Sequence, residues 1–550
     1  MSLPRQVATT VTAKLQTLVT LAAAGIVRPA RPDRLFHTVL ALARWGPTPA
    51  AGYAVSATRY PHEIGIVDEL GTLTFRQIHL RTNALAHALR EDGIGPGDGV
   101  AIMCRNHRGF IDAVVACSKL GASALFLNTQ FSKPQLSDVL EREEPAALVY
   151  DQEFAGLLDD ADVQLKRYVA WKDPESETAD PLLEELIERH DTADLSAPAE
   201  PGKATILTSG TTGTPKGASR AQPKSMDPIA ALLDRIPLEA RQTTTIAAPL
   251  FHSWGFAHWS LGMSLASTIV LERRFDPEGI LSLTAQHQSS ALVVVPVMIQ
   301  RILELDDEVF ERYDLSGLRV VPVSGSALPG SQSDRWMDLF GENLYNLYGS
   351  TEVAWATIAT PSDLREAPGT AGKPPRGTIV KLYDDEGREV ARGETGRIFV
   401  GNEMQFEGYT GGGGKDVIDG LMSSGDVGHF DEEGRLFVDG RDDDMIVSGG
   451  ENVFPQEVED LLAGHEKVAE AAVFGVEDEE FGQRLKAVVV TTGGELSEDE
   501  VKRYVKSNLA GYKVPRDVEF IDELPRNATG KVLKRELSGD SGEAKEKTEK

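Results

Sequence analysis

The chain has 550 residues, of which 41% are hydrophobic and 26% charged, so it is long enough to form two or more soluble domains. Its formal net charge of −29 argues against nucleic acid as a partner, because a phosphate backbone is bound by clustered lysine and arginine. The two cysteines, Cys104 and Cys117, lie in apolar stretches without metal-ligand spacing, which predicts buried free thiols in a reducing compartment.

The N-terminus is the exception to this acidic balance. Residues 1–45 carry six basic residues against one acidic residue, a net charge of +5. Residues 15–27 are mostly apolar but too short to span a bilayer, which takes about 20 residues. We interpret residues 1–59 as a helical extension packed on its own domain. A basic amphipathic helix resting on an anionic membrane surface and a signal peptide are the alternatives.

Residues 60–440 alternate β-rich apolar runs with helical patterns, which predicts α/β layers with mostly parallel sheets. The predicted strands include Gly99–Met103, Ala291–Val295 and Leu318–Val323, and the predicted helices include Phe75–Arg90 and Met298–Leu305.

The pattern changes near Gly440. A helix at Pro455–Ala463, strands at Val468–Phe474 and Leu485–Thr491, and a helix at Glu498–Leu509 predict a small α+β domain over residues 441–537. Its boundary falls in the acidic run at residues 440–444, which is unlikely to pack in a core. Residues 538–550 are mostly Gly, Glu, Lys and Ser and are predicted to be disordered.

The most informative segment is residues 208–217, TSGTTGTPKG, which follows a predicted short buried strand at Ala204–Leu207. Its glycines allow close backbone approach, and its hydroxyls and lysine can surround a polyanion such as a triphosphate. It is not the Walker pattern, because Pro215 precedes Lys216 and Gly217 follows it. Without supporting motifs, the segment would be interpreted as a polar surface loop.

The full string resembles the phosphate-binding signature of the adenylate-forming superfamily, which includes acyl- and aryl-CoA synthetases, luciferases and peptide-synthetase adenylation domains. Within that superfamily the chain is most similar to bacterial long-chain fatty acid–CoA ligases, over nearly its whole length. The resemblance implies a large AMP-binding domain, residues 60–440, and a small mobile C-terminal domain. It also implies that ATP phosphates are bound by Thr208, Ser209, Gly210, Thr211, Thr212, Gly213 and Lys216.

A second motif, YNLYGSTE, occupies residues 345–352. An aromatic residue next to a glycine can stack on a purine, and a nearby hydroxyl and carboxylate are oxygen ligands suited to Mg²⁺. The resemblance implies that Tyr348 and Gly349 lie against adenine, that Thr351 hydrogen-bonds the α-phosphate and that Glu352 holds Mg²⁺. A lone Ser-Thr-Glu would instead indicate a capped edge loop.

Shorter segments gain meaning only beside these two motifs. The resemblance implies that Asp426 and Arg441 hold the ribose and that His252 is a positioning residue near the substrate carboxylate. Taken alone, that histidine would be a satisfied core residue. One wall of the adenine site and acyl pocket is implied to be formed by Gly325, Ser326 and Ala327.

The segment PRNATGK, residues 525–531, resembles the family's catalytic lysine segment, so Lys531 is predicted to act in adenylation. The resemblance further implies that the small domain rotates about a hinge at Asp443. After that rotation, the loop containing Gly449 and Gly450 would line a tunnel for the pantetheine arm of coenzyme A.

Together these motifs predict a Mg²⁺- and ATP-dependent synthetase that converts a medium- or long-chain fatty acid to acyl-AMP and then to acyl-CoA. Both reactants of the first step are anions, so the site must cancel charge and align them. The partners implied are fatty acid, ATP and coenzyme A, in the cytoplasm, with the basic N-terminal helix at the inner membrane face as an option. The sequence is compatible with a homodimer.

Other functions stay open at this point. A benzoate-type aryl-acid CoA ligase and an acyl-AMP ligase that loads a carrier protein share the first half-reaction. A luciferase-type oxygenase and a non-catalytic nucleotide-binding regulator are less well supported. The joint presence of Glu352, Asp426 and Lys531 argues against the regulator, because a protein without catalysis need not keep all three.

Overall fold

The structure is a computed structural model that describes residues 14–28, 31–158, 165–208, 216–220, 225–404, 406–409, 414–442, 446–448, 451–478, 482–527 and 530–538. Within those ranges, the helices are all too short or too polar to cross a lipid bilayer. Both cysteines are buried and free, as predicted.

The helices follow one another along the whole chain. In order they are α1 (residues 14–23), α2 (Pro32–Trp45), α3 (Pro49–Arg59), α4 (Phe75–Glu91), α5 (Arg108–Leu120), α6 (Lys133–Glu143), α7 (Leu183–Arg189), α8 (Asp227–Arg235), α9 (Ser253–Ser264), α10 (Pro277–Gln286), α11 (Pro296–Leu303), α12 (Asp307–Arg312), α13 (Gly330–Phe340), α14 (Pro361–Glu366), α15 (Pro455–Ala463), α16 (Glu498–Asn508) and α17 (Lys534–Ser538).

The strands alternate with these helices up to about residue 360 and then follow one another more closely. In order they are β1 (Ile64–Asp68), β2 (Gly71–Thr74), β3 (Gly99–Met103), β4 (Ser123–Phe126), β5 (Ala147–Asp151), β6 (Lys166–Trp171), β7 (Ala204–Thr208), β8 (Lys216–Arg220), β9 (Thr243–Ile246), β10 (Thr268–Leu271), β11 (Ala291–Val293), β12 (Val321–Val323), β13 (Leu344–Tyr348), β14 (Thr357–Ala359), β15 (Ile379–Tyr383), β16 (Gly396–Gly401), β17 (Phe406–Tyr409), β18 (Val417–Ile418), β19 (Leu421–Phe430), β20 (Leu436–Arg441), β21 (Ile446–Ser448), β22 (Glu451–Val453), β23 (Val468–Asp478), β24 (Gly482–Thr491) and β25 (Asp517–Phe520).

The described strands form five sheets. A seven-stranded sheet runs β17-β8-β7-β4-β3-β5-β6 and is parallel from β7 to β6. A five-stranded sheet runs β11-β9-β10-β1-β2, parallel except for the β1–β2 hairpin. A short sheet, β12-β13-β14, joins it through bridges from β11 and the residue after it to the β12 segment. The largest hydrophobic core cluster draws on strands of these three sheets and the helices packed on them.

The remaining two sheets are mainly antiparallel. One contains β15, β16, β19, β18 and β20, and the other contains β22, β21, β24, β23 and β25 with its own core against α15 and α16. The α/β fold class with mostly parallel sheets, followed by a separate small α+β unit, is therefore confirmed.

Most predicted elements appear, and the differences have local causes. The strand β11 ends at Val293, two residues earlier than predicted, because Pro296 starts α11 from its first turn, where a missing N–H costs nothing. The helix α4 starts at Phe75 because Thr74 and Gln77 form a reciprocal capping box. The strand β7 forms as predicted, but only Leu207 of its predicted span is buried.

Candidate active site

Two parallel strands bring the predicted adenine-site residues to one sheet edge. In β12 and β13, Val323 lies opposite Asn346, so the segments that follow both strands leave at the same end. Gly325, Ser326 and Ala327 are exposed directly after buried β12. Tyr348 ends β13 and Gly349 follows it. A Cβ on Gly349 would lie 2.0 Å from the Ala354 carbonyl oxygen, so only glycine fits there.

The predicted ribose residues meet Tyr348 at this edge. Asp426 of β19 lies opposite Arg441 of β20 in antiparallel register, and Arg441 Nε is 3.7 Å from Asp426 Oδ1. The Tyr348 hydroxyl donates to Asp426 Oδ2 at 2.6 Å, and its oxygen lies 3.1 Å from the Ser424 hydroxyl oxygen. Side chains drawn from residues 348 to 441 are thus joined in one polar cluster.

Charge and burial oppose each other at Asp426. Burial raises the pKa of Asp426, whereas the Tyr348 hydrogen bond and the positive charges of Arg441 and Lys531 favour its ionised form. The pKa of Tyr348 is raised by burial and by the adjacent Asp426 charge, so its hydroxyl stays a donor. The charge of Lys531 contributes to the pKa of Asp426, so the C-terminal lysine lies within electrostatic range of this cluster.

A hairpin of the small unit presents Lys531. The backbone N–H of Lys531 donates to Asn527 Oδ1 at 2.9 Å, and its carbonyl accepts from the Asn527 N–H at 2.9 Å. Arg526 donates to the Gly530 carbonyl at 2.5 Å and pairs with Glu470 at 2.9 Å. These contacts fix the backbone while the Lys531 side chain is exposed.

Gly530 seats this hairpin against the large unit. Its φ of +78° lies in the left-handed region, and a Cβ there would lie 2.1 Å from Val297 Cγ1 of α11. Beside it, Gln300 of α11 donates to Glu470 at 2.7 Å. The segment that carries Lys531 therefore touches the large unit through a small, tight contact.

The segment after Gly349 carries the predicted magnesium ligand. The Ser350 hydroxyl donates to Glu352 Oε2 at 2.9 Å and accepts from the Glu352 N–H at 3.2 Å. Ser350, Thr351 and Glu352 are half-buried and offer only oxygen donors, which is the set that Mg²⁺ prefers. The residues present therefore fit the ion, with Glu352 as the anionic ligand.

His252 lies at the N-terminus of α9, in the segment predicted to face the substrate acid. Its Nε2 atom is shielded from solvent and has no hydrogen-bond partner among the described residues, and burial lowers its pKa to about 4. His258, six residues further along, has an Nε2 atom that likewise lacks a partner within the described part of the chain, and burial lowers its pKa to about 4. Both are neutral at physiological pH, as a positioning role for His252 requires.

Several predicted residues lie outside the described part of the chain. Those are Ser209, Gly210, Thr211, Thr212, Gly213, Asp443, Gly449 and Gly450. The flanking backbone is described: Thr208 lies opposite Lys216 in the β7–β8 pair, and Ser448 lies opposite Glu451 in the β21–β22 pair. Both predicted loops therefore connect paired antiparallel strands.

Sequence reasoning missed Asn106. This buried side chain donates to the carbonyls of residues 246–248, at 3.0 Å for Ala248, and accepts from the Leu250 N–H at 2.8 Å. It thereby holds the segment that leads from β9 to His252. A polar residue three positions after the mostly buried strand β3 was the available signal.

Sequence reasoning also missed a basic cleft of about 640 Å³ between the two units. Arginines contribute most of its charge, and Glu272 and Glu523 are the acidic side chains in its wall. Arg105 binds Glu153 through two hydrogen bonds of 2.8 and 2.9 Å, which orients it at the cleft. The lining arginines are Arg105, Arg273, Arg274, Arg301 and Arg526.

Near that cleft, Cys104, His107 and Asp151 are close enough to suggest a metal site. His107 Nδ1 accepts from the Gly109 N–H at 3.1 Å, so its Nε2–H donates to Asp151 Oδ1 at 2.8 Å. Both ring nitrogens are engaged, which leaves no lone pair for a metal ion. The cluster instead caps α5 and ties it to β5.

Comparison with known families places these features in context. The model of the AMP-binding enzyme family matches residues 53–410, and that of the AMP-binding enzyme C-terminal domain matches residues 457–531.

Individual relatives are similar over most of the chain. A feruloyl-CoA synthase from Amycolatopsis sp is 33% identical over 483 residues, covering 87% of this chain and 96% of the relative. The fatty acid–[acyl-carrier-protein] ligase ScoC of Streptomyces coeruleorubidus is 30% identical over 525 residues, covering 92% and 97%. The crystal structure of the anthranilate CoA ligase AuaEII with anthranoyl-AMP superimposes with a TM-score of 0.80 at 26% identity, covering 90% and 96%.

Proposed function

The chain belongs to the AMP-binding enzyme family and is an acid–thiol ligase, and we propose that it activates an apolar aryl acid as its acyl-adenylate and transfers the acyl group to coenzyme A. The observation that carries this proposal is the convergence of Tyr348, Asp426 and Arg441 at one sheet edge, with the charge of Lys531 reaching the same cluster.

The aryl acid is supported by the relatives and by the acid-facing segment. Feruloyl-CoA synthase and anthranilate CoA ligase are named for aromatic acids. Around α9, Trp254 packs 4.1 Å from His258 between ring centroids, and Phe256 packs 5.4 Å from Trp259. Trp254, His258 and Trp259 are buried, so the segment that follows His252 supplies an apolar, aromatic environment.

In the first step a carboxylate oxygen of the acid attacks the α-phosphorus of ATP. The bond from that phosphorus to the bridging oxygen breaks, and pyrophosphate leaves with the electron pair. Lys531 would bridge the carboxylate and the α-phosphate and so offset the repulsion between two anions. Asp426 and Arg441 would hold the ribose in register with this lysine. Glu352 would hold Mg²⁺, which when bound neutralises phosphate charge.

In the second step the thiol sulfur of coenzyme A attacks the acyl carbon. The carbon–oxygen bond to AMP breaks, AMP leaves with the electron pair, and the thiol proton passes to solvent. The cleft supports coenzyme A as the acceptor, because five arginines line it in a chain of net charge −29 and are oriented there by ion pairs with Glu153, Asp173, Glu470 and Glu523. Clustered guanidinium groups suit phosphate groups.

A medium- or long-chain fatty acid is the second candidate substrate. Its support is the similarity to ScoC, whose name gives a fatty acid as substrate and an acyl-carrier protein as acceptor. We place the reaction in the cytoplasm, because ATP and coenzyme A are drawn from there and both cysteines are free thiols.

The test is ATP–pyrophosphate exchange with a panel of acids: ferulate, benzoate and anthranilate against octanoate and palmitate. Acids that support exchange are then offered with either coenzyme A or a phosphopantetheinylated carrier protein. We expect exchange with an aryl acid and thioester formation with free coenzyme A. Exchange with the fatty acids alone would select the second candidate, and no exchange with the panel would overturn the proposal.

A further inference from the structure

The N-terminal helices α1 and α2 expose most of their large apolar side chains and turn several polar side chains toward the protein. In α2 the positions turned toward the protein are Arg34, Thr38, Ala41 and Trp45, at helical spacing, and only Trp45 is buried. A surface helix of a globular protein normally turns its large apolar residues inward. Here they point outward. The exposed apolar side chains of α2 are Leu35, Phe36, Val39, Leu40 and Leu42.

Helix α1 follows the same pattern. Its inward positions are Thr17 and Leu21, whereas Leu15, Leu18 and Val19 are exposed. Among the described residues, nine of the seventeen exposed large hydrophobic side chains lie in residues 14–45. Apolar exposure concentrated in this way marks an interaction surface, whereas scattered exposed residues do not.

The helices are nonetheless folded onto the domain. Thr17 donates to Asp227 of α8, and the Ala240 N–H donates to the Ala24 carbonyl at 2.8 Å. Arg34 of α2 donates to the Arg59 carbonyl at 2.8 Å at the end of α3. Because the polar inner contacts are made, the outward apolar face is a property of the folded protein.

Charge identifies what covers this face. Residues 1–45 carry a net charge of +5 in a chain of −29. In the described part of the chain, no carboxylate lies within ion-pair distance of Lys14 or Arg28, and both are exposed. A second copy of this chain would bring two basic segments together, whereas anionic lipid satisfies the charge and the apolar face at once.

We propose that α1 and α2 form a docking surface for an anionic membrane, lying in the interface with Leu15, Val19, Phe36, Val39 and Leu40 inserted among the lipid chains. The surface lies outside the part matched by the family model, which begins at residue 53. It goes beyond the proposed function and does not depend on which acid is activated.

The docking surface formed by α1 and α2 is connected to the acid-binding segment through α3 and the core. Helix α3 follows α2 and packs on α9, where the Trp259 indole donates to the Tyr53 hydroxyl at 3.0 Å. Helix α9 begins directly after His252. An enzyme held at the bilayer in this way would meet an apolar acid where that acid is concentrated.

The test is cosedimentation of the full chain with vesicles of phosphatidylcholine alone or of two parts phosphatidylcholine to one part phosphatidylglycerol. We expect binding to the mixed vesicles only, weakened by added salt. Lys14→Gln with Arg28→Gln should lower the partition coefficient about tenfold or more. Phe36→Glu with Val39→Glu should abolish binding. The matched control, Ile379→Glu with Val417→Glu, changes two exposed apolar residues elsewhere and should leave binding intact.

Each other result would overturn the proposal. Light scattering that finds a dimer dissociated by Phe36→Glu with Val39→Glu would assign the face to a second copy. Vesicle binding that appears only after deletion of residues 2–13 would assign it to that segment. Equal binding to both vesicle types would show that the surface does not require anionic lipid. Unchanged thermal unfolding and ATP–pyrophosphate exchange of each variant establish that a loss of binding is not a loss of folding.

Discussion

The nucleotide end of the site and the lysine end are built differently. Tyr348, Asp426 and Arg441 belong to strands of the large unit and are joined by hydrogen bonds and register. Lys531 belongs to a hairpin whose described contacts with the large unit are few, chiefly Gly530 on Val297 and Glu470 with Gln300. The difference suggests a fixed site for recognition and a detachable cation for one chemical step. The following variants test that division, beginning with the largest expected effect.

Lys531→Ala should separate the two half-reactions. Removing one preorganised donor to developing charge costs about 3–4 kcal/mol, so adenylation should fall by a factor of roughly 10² to 10³. Conversion of supplied acyl-AMP and coenzyme A to thioester should be unchanged, because the lysine is not part of the fixed end. Single-turnover assays of each half-reaction make the measurement. An equal loss in both would mean that Lys531 has been assigned the wrong role or that the variant misfolds.

Asp426→Asn should weaken both half-reactions. The Tyr348 hydroxyl and the Arg441 guanidinium lose an anionic partner, and a hydrogen bond to a charged group is worth about 1.5–3 kcal/mol. We expect the KM for ATP and for acyl-AMP to rise about 10-fold to 100-fold. Tyr348→Phe removes one hydrogen bond and should have a smaller effect of the same kind. Asp439→Asn on the same sheet is the control. A defect in adenylation alone would contradict the fixed-end assignment.

Gly530→Ala tests the seat of the lysine hairpin. An alanine there would destabilise the left-handed backbone by about 1–2 kcal/mol, and its Cβ would also collide with the Val297 side chain. Adenylation should fall about tenfold, with thioester formation from acyl-AMP preserved. The control is Gly511→Ala in the same small unit. A Cβ at Gly511 meets open space, so this variant should leave both activities unchanged. If adding Val297→Ala restored nothing and Gly511→Ala were equally harmful, the contact would not be the cause.

How far the sequence predicted this site depends on how its residues are distributed. The segments around Tyr348 and Lys531 are contiguous motifs, so each could be found without knowing its neighbours. Asp426 and Arg441 are weak signals alone, and the antiparallel register of β19 and β20 is what places them together. The basic cleft could not be predicted, because it draws its arginines from four separate segments that belong to both units.

The N-terminal helices show a second limit of sequence reasoning. The sequence predicted a helical extension packed on its own domain, and the helices do contact the domain. Their inward side chains include Arg34 and Thr38, however, and Phe36 is exposed. Amphipathicity identifies two faces, but the choice of the buried one depends on what the neighbouring helix offers, here the Arg59 carbonyl.

Gln300→Ala should slow adenylation modestly relative to thioester formation. It removes a single hydrogen bond between the units, from Gln300 to Glu470, worth about 1 kcal/mol net. Adenylation should fall by a factor of about five or less, while thioester formation from acyl-AMP stays level or rises. Gln152→Ala, whose amide bonds the Glu177 carbonyl on the surface, is the matched control. A fall in both half-reactions would indicate damage to the fixed end instead.

The smallest expected effect concerns Glu272, which lies in the cleft between the two ends. Burial raises the pKa of Glu272 to about 7, so this carboxyl is neutral below that pH and gains a negative charge as the pH rises through it. The added charge opposes the phosphates of coenzyme A, and the KM for coenzyme A should therefore rise with pH by a factor of about two to five. Glu272→Gln keeps the neutral form and should flatten that rise.

Because coenzyme A titrates in the same range, the informative quantity is the ratio of KM between wild type and variant at each pH. A ratio that stays constant with pH for Glu272→Gln would show that the Glu272 charge does not affect coenzyme A binding. For the control Glu433→Gln, a constant ratio is the expected outcome, because Glu433 pairs with Arg435 away from the cleft.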